Sequence, residues 1–158
     1  MRLAIAVPLA AAALALGAAS ASGMGPISGI SGRDPLTGKN VSLESWRGRP
    51  VAINIWASWC EGCTKEARAL KRFEQVHPDS VLGIDYNDSK AGARAFYRRY
   101  DVDHPSIWDP KGRLVTKLKA IGLPTTVFLN RRHVVVLAIA GAATYAQLQD
   151  GWRRATRP

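Results

Sequence analysis

Residues 51–63 read VAINIWASWCEGC, and this stretch decides the fold. Val51 to Ala57 is almost wholly apolar and follows the turn-forming Gly48-Arg49-Pro50, the pattern of a strand buried on both faces. Directly after it, Ala67, Leu70, Phe73 and Val76 recur every third residue between charged positions, which predicts an amphipathic helix from Cys60 to Val76, stopped near His77-Pro78. The Cys60-x-x-Cys63 pair therefore sits where a buried strand turns into a helix. Unpaired amides and the helix dipole at that point favour thiolate over thiol, lowering a pKa that starts near ~8.5. Cys60 is expected to be the exposed, attacking thiol, with Cys63 one turn inside as the resolving one.

Outward from this core the chain alternates. Val81 to Tyr86 predicts a second strand, and Asp88 or Ser89 caps a helix with Ala93, Phe96, Tyr97 and Tyr100 on its apolar side. Residues 101–124 are punctuated by Pro105, Pro110 and Gly112 and read as an irregular link with a short helix around Leu114 to Leu118. Thr125 to Leu129 and Val134 to Ala140, joined by Asn130-Arg131-Arg132-His133, predict a hairpin in which His133 is solvated. Thr144-x-x-Gln147 is a capping box that opens a last helix, with Arg153, Arg154 and Arg157 near its C-terminal end. On the N-terminal side, Val41-Ser42-Leu43 predicts a short edge strand after the turn at Asp34-Pro35-Leu36-Thr37-Gly38.

The first residues read as an address. Arg2 precedes an uncharged, Ala-rich run from Leu3 to Leu16, and Ala19-Ser20-Ala21 forms a small-x-small cleavage site. Residues 1–21 are thus expected to be a signal peptide, 22–33 a flexible Ser/Gly-rich stem, and 34–158 the folded domain. An uncleaved segment would leave the domain anchored. Either way the protein is exported, periplasmic or extracytoplasmic, where disulfides persist. With 158 residues, 47% hydrophobic and 22% charged, the chain suits one globular domain and excludes wholesale disorder. The formal charge of +10 would permit nucleic acid, an anionic membrane surface or an acidic partner, and export removes nucleic acid from that set.

Alternatives to redox chemistry fit less well. A structural zinc site needs about four ligands, and there is no second cysteine pair, while His77, His104 and His133 have no spacing that points at the motif. An inert disulfide needs no strand-to-helix turn flanked by Trp56 and Trp59.

The quoted stretch, extended to VSLESWRGRPVAINIWASWCEGC, together with VLGIDYND, IGLPTTVFLN and AIAGAAT, resembles the thioredoxin superfamily, and within it the exported TlpA/ResA-like branch that includes cytochrome c maturation reductases. The resemblance implies an α/β thioredoxin fold, a central mixed sheet flanked by helices. It implies a thiol–disulfide oxidoreductase of the protein-disulfide reductase type, with Cys60 and Cys63 as the redox-active disulfide and no other cofactor or metal. Its partners would be protein thiols and disulfides, with a membrane-bound electron donor regenerating the reduced pair. Pro124 matches the cis-proline that faces the sulfurs in this fold. Leu123 would offer its backbone to an extended substrate, and Trp59 would shield the disulfide. Where ordinary thioredoxins carry a buried Asp six residues before the first cysteine, Asn54 stands. Glu66, three residues after Cys63, matches the acid of ResA-type reductases and could exchange a proton with Cys63 if buried; otherwise it is a solvated acid paired with Lys65 or its neighbours. Glu61-Gly62 between the cysteines departs from the branch, which often has Pro second, and Arg68 replaces the usual kinking Pro.

Two rivals remain. A copper-handling assembly factor would bind Cu(I) through the same two thiols. A peroxidase would need Thr or Ser three residues before the nucleophile, where Ala57 stands.

Overall fold

The computed structural model describes residues 25–158. The expected signal peptide (1–21) and the first residues of the expected stem lie outside the described residues. Among the described residues no helix is long and apolar enough to cross a membrane.

The run that opens the motif forms the central strand. β3 (Val51–Trp56) has all six residues buried. It pairs in parallel with β4 (Val81–Tyr86) on one side and antiparallel with β6 (Thr125–Leu129) on the other. β5 (Ser106–Asp109) adds in parallel to β4, and β7 (Val135–Ala140) closes the hairpin with β6, giving the order β5-β4-β3-β6-β7. A separate antiparallel pair, β1 (Ser31–Arg33) and β2 (Asn40–Ser42), precedes them.

Side chains alternate across this sheet and build two cores. Val51, Ile53, Ile55, Leu82, Ile84, Ile107, Val127 and Leu129 face one side. There Leu114, Val115 and Leu118, from α3 (Arg113–Lys117) and the residue after it, cover them, together with Ile27, Ile30 and Leu43. On the opposite side, α1 (Glu61–Val76) brings Leu70 and Phe73 onto Ala52 and Phe128, and α4 (Tyr145–Ala155) adds Leu148 and Ala155. α2 (Lys90–Tyr100) packs Ala93, Phe96 and Tyr97 around Trp56 on the same side. Each fully buried Leu, Ile or Phe stabilises by about 1.5–3 kcal/mol. α4 sits so close that a Cβ at Gly151 would lie 2.3 Å from the Phe128 ring, so only glycine fits there. The Thr144–Gln147 capping box opens α4 as expected.

Three expectations differ from the structure. The part of the stem that is described does not hang free. Ile30 is 1% exposed, Ile27 is buried, and the Ile27 amide donates to His133 O at 2.8 Å, because these two apolar residues complete the core under α3. His133 is buried rather than solvated; its Nε2 lies 3.1 Å from Trp46 O. The link over 101–124 contains β5, whose polar ends are buried with partners. Ser106 Oγ meets Trp56 Nε1 at 3.0 Å and the Tyr97 hydroxyl at 2.6 Å. The Asp109 carboxylate accepts from the Arg113, Leu114 and Val115 amides and so starts α3.

Candidate functional site

Ala57-Ser58-Trp59 carries the chain from the end of β3 over to α1, and Cys60 is the N-cap of that helix, in extended conformation. Its Sγ accepts a hydrogen bond from the Cys63 amide at 3.0 Å. That amide is one of the four a helix start leaves unpaired, so a thiolate released at Cys60 would find a donor already aimed at it. Cys60 and Cys63 form a disulfide. The sequence predicts an exposed first thiol; in the disulfide both residues are buried, Cys60 at 6% and Cys63 at 3% exposure. What separates them is place: Cys60 stands before the helix and Cys63 within its first turn.

Two aspartate contacts fix the approach to Cys60. Asp88 accepts from the Ser58 amide at 2.6 Å and from Ser58 Oγ at 2.9 Å. Trp59 donates its indole N–H to Asn87 O at 3.1 Å and meets the Tyr86 ring edge-on. Because the 86–88 loop captures the indole, Trp59 is 58% exposed, an outward apolar surface beside Cys60 rather than a buried lid. Sequence reading missed this clamp, since Asp88 looked like a helix cap while Ser89 takes that role through the Gly92 amide.

The peptide bond between Leu123 and Pro124 is cis. Pro124 lies against the first turn of α1: a Cβ added to Gly62 would come within 2.8 Å of Pro124 Cδ and 3.8 Å of Leu123 O. The Gly between the cysteines thus gives Pro124 its close approach to the redox pair. Leu123 packs with the cluster that contains Cys60 and Cys63.

Glu66 is 2% exposed and, with Cys63 and Asn54, lines a narrow gap inside the domain. Its solvated alternative fails, because Lys65 pairs instead with Glu61 at 2.7 Å. One Glu66 oxygen accepts from Asn54 Nδ2 at 2.7 Å and the other from the Ala143 amide at 2.6 Å. Burial pushes its carboxyl above the ordinary carboxylate value, opposed by those two hydrogen bonds. Asn54 Nδ2 also donates to Thr126 Oγ1 at 3.0 Å, its cross-strand partner on β6. An Asn amide can turn over and a Thr hydroxyl can give or take a proton. If Glu66 takes a proton, Asn54 can present Oδ1 to it and receive the Thr126 hydroxyl in turn. That turn takes the Asn54 NH2 off both of its present acceptors, so the site keeps a hydrogen bond to Glu66 in either protonation state by rearranging Asn54. Thr126 and Ala143 were not foreseen, although the β3–β6 register predicts a partner opposite Asn54.

The remaining candidates fall elsewhere. His77 bonds Gln149, His104 Nδ1 lies 2.6 Å from Glu74 Oε1, and His133 meets Trp46 O. Among the described residues no group of three or more His, Cys, Asp or Glu side chains could hold a metal ion. Of the basic residues on α1, Arg72 covers the Tyr145 ring at 4.1 Å and Arg68 is exposed.

Comparison with known proteins places the fold in a family. A model of the AhpC/TSA family matches residues 31–138. The thiol-disulfide oxidoreductase ResA of Bacillus thuringiensis subsp. konkukian (strain 97-27) is 25% identical over 124 residues, covering 77% of this chain and 72% of ResA. The Bacillus subtilis (strain 168) ResA is 28% identical over 121 residues, covering 74% of this chain and 67% of its own. Among solved structures, a DsbF homologue from Corynebacterium diphtheriae superimposes with a TM-score of 0.75 at 28% identity, covering 81% of this chain and 85% of that one.

Proposed function

We propose, from the premise that this chain belongs to the AhpC/TSA family and is a thiol–disulfide oxidoreductase, that it is an exported reductase of protein disulfides in which Cys60 attacks and Cys63 resolves. The observation that carries the division of labour is the Cys60 sulfur at the helix N-cap, accepting the Cys63 amide. In the reduced protein the Cys60 thiolate attacks one sulfur of a substrate disulfide. That S–S bond breaks, a Cys60–substrate disulfide forms, and the first substrate thiolate leaves. Cys63 then gives its proton to Glu66 and attacks Cys60 Sγ. The Cys60–Cys63 disulfide closes and the second substrate thiolate departs, so the pair has passed two electrons to the substrate. Trp59, Leu123 and Pro124 form the contact surface for that substrate, its extended backbone lying along Leu123. A membrane-bound donor returns the pair to the dithiol.

Export rests on Arg2, the uncharged run after it and the Ala19-Ser20-Ala21 site. The copper-handling alternative gains no third ligand from the described residues, whose histidines are all engaged away from the sulfurs. Stoichiometric copper after purification, lost in Cys60→Ser, would revive it. The reductive direction is tested by the equilibrium potential of the pair against a dithiothreitol buffer. A value at or below about −270 mV, the thioredoxin range, is expected; one near about −120 mV, the range of a strong oxidant, would overturn it.

A further inference from the structure

Asp85 on β4 is fully buried, and neither of its carboxyl oxygens meets a hydrogen-bond donor among the described residues. By alternation with Leu82 and Ile84, which point into the α3-side core, it faces the side covered by α1 and α2. Every nearby donor is committed elsewhere. Trp56 Nε1, on the paired position of β3, goes to Ser106 Oγ. Trp108 Nε1, on the paired position of β5, goes to Asp88 O at 2.8 Å. From α2, the Tyr97 hydroxyl is engaged by His104 O and Ser106 Oγ, and Lys90 Nζ lies 4.8 Å from the centre of the Trp108 ring. Asp34 holds the Leu36, Thr37 and Ser106 amides, and Glu74 is paired with His104. The charged neighbour that bears most on Asp85 is another acid, Asp88, whose backbone carbonyl is held by Trp108, the residue in register with Asp85 on β5.

Asp88 is differently placed. It receives three donors, the Ser58 amide, Ser58 Oγ and the Ser89 amide at 2.7 Å. A carboxylate offers about four acceptor positions, so roughly one remains. A fully buried carboxylate facing a second one is unfavourable unless a proton lies between them, and here the half-buried Asp88 already has donors while Asp85 has none.

We propose that Asp85 is a positioning residue: it carries a proton in the working protein, donates it to Asp88, and by this acid pair latches the Ser58-Trp59-Cys60 segment in its attacking geometry. The link runs Asp85–Asp88–Ser58 and ends two residues before Cys60. Burial, reinforced by Asp88, pushes the Asp85 carboxyl up to about 8. Above that pH Asp85 loses its proton, a fully buried anion faces the half-buried Asp88 anion, and the hold of Asp88 on Ser58 weakens. The reactivity of Cys60 then falls with rising pH, although its thiolate fraction does not. The effect on Cys60 rests on the reading of that residue as the attacking thiol; the acid pair does not.

Two measurements separate these. Carbon-13 NMR of the aspartate carboxyls in the oxidised wild-type protein, assigned with Asp85→Asn, reads the proton directly. Asp85 is expected to titrate near pH 8, whereas titration in the ordinary range near about 4 would overturn the acid pair. The second is the rate of Cys60 alkylation by iodoacetamide in the reduced protein. Asp85→Asn keeps a donor for Asp88 and cannot ionise, so it should match wild type at neutral pH. At pH 9, with about nine-tenths of Asp85 ionised, wild type should be about tenfold slower than the variant. Superimposable profiles would overturn the latch. Should peptide mapping find Cys63 alkylated first, the attacking-thiol assignment falls, and the carboxyl titration still decides the pair; if Asp85→Asn does not fold, the Asp85 carboxyl is assigned in wild type by through-bond correlation to its own backbone.

Discussion

Replacing Glu66 by Gln separates its proton from its shape. The Ala143 amide can only donate, so the Gln carbonyl must take that position, leaving its NH2 toward Asn54. Asn54 can turn its amide over, accept from that NH2 and accept the Thr126 hydroxyl with the same oxygen. The new side chain is then satisfied at both ends while the Asn54 NH2 gives up its two acceptors, so Glu66→Gln should fold at a cost of about 1–3 kcal/mol. Glu66→Leu instead leaves the Ala143 N–H and the Asn54 amide without their acceptor, at about 1–3 kcal/mol each. Stability should also change with pH in a defined sense. Burial raises the Glu66 carboxyl above 4.5 in the folded state. The protonated form is therefore favoured by folding, and that contribution is fully present below the ordinary value and lost as pH rises through the raised one. Glu66→Gln, which cannot ionise, should gain on wild type across that window relative to their difference at low pH, by about 1.36 kcal/mol for each pH unit between the two values.

The kinetic consequence is larger. Without Glu66 the Cys63 thiol must lose its proton unaided, so the resolving step should slow by about 100-fold or more at neutral pH. The loss should grow as pH falls and fade toward alkaline pH, as an unassisted thiol ionises more readily there. Stopped-flow reaction of the reduced protein with Ellman's reagent resolves this, because attack by Cys60 releases the first thionitrobenzoate and attack by Cys63 the second. A Glu66→Gln second phase equal to wild type from about pH 6 to about pH 9 would refute the proton role and leave Glu66 a structural acceptor for Asn54 and Ala143.

Ile30→Ala should cost about 2–5 kcal/mol in urea unfolding, because Ile30 is core and not stem; a change under about 0.5 kcal/mol would restore the flexible stem. Gly62→Ala adds a Cβ 2.8 Å from Pro124 Cδ while gaining up to about 1 kcal/mol of helix propensity. It should therefore slow disulfide exchange with little loss of thermal stability, and unchanged exchange would mean that Pro124 is not held against the redox pair.

Much of the fold could be read from the chain because its strongest elements are locally consistent. β3 is a six-residue run apolar at every position but Asn54, α1 has a regular apolar face, and the capping box names the start of α4. The Cys60/Cys63 site was legible for the same reason: both cysteines belong to one local strand-to-helix turn. What escaped depends on distant partners. β5 looked like a loop because Ser106 and Asp109 are polar, and only Tyr97, Trp56 and the α3 amides make their burial tolerable. His133 is drawn in by a carbonyl 87 residues away in sequence. The burial of Glu66 turns on the Ala143 amide, 77 residues on, and the clamp on Ser58 on Asp88, 30 residues on. No local pattern announces such contacts.

The role of Cys60 is decided most directly by trapping. The reduced Cys63→Ser variant, mixed with a protein disulfide substrate or with Ellman's reagent, should accumulate a stable mixed disulfide, and peptide mapping should find it on Cys60. The reciprocal Cys60→Ser variant should react slowly and accumulate little. Faster capture at Cys63, or no accumulation in Cys63→Ser, would contradict a helix-cap thiolate at Cys60 as the nucleophile.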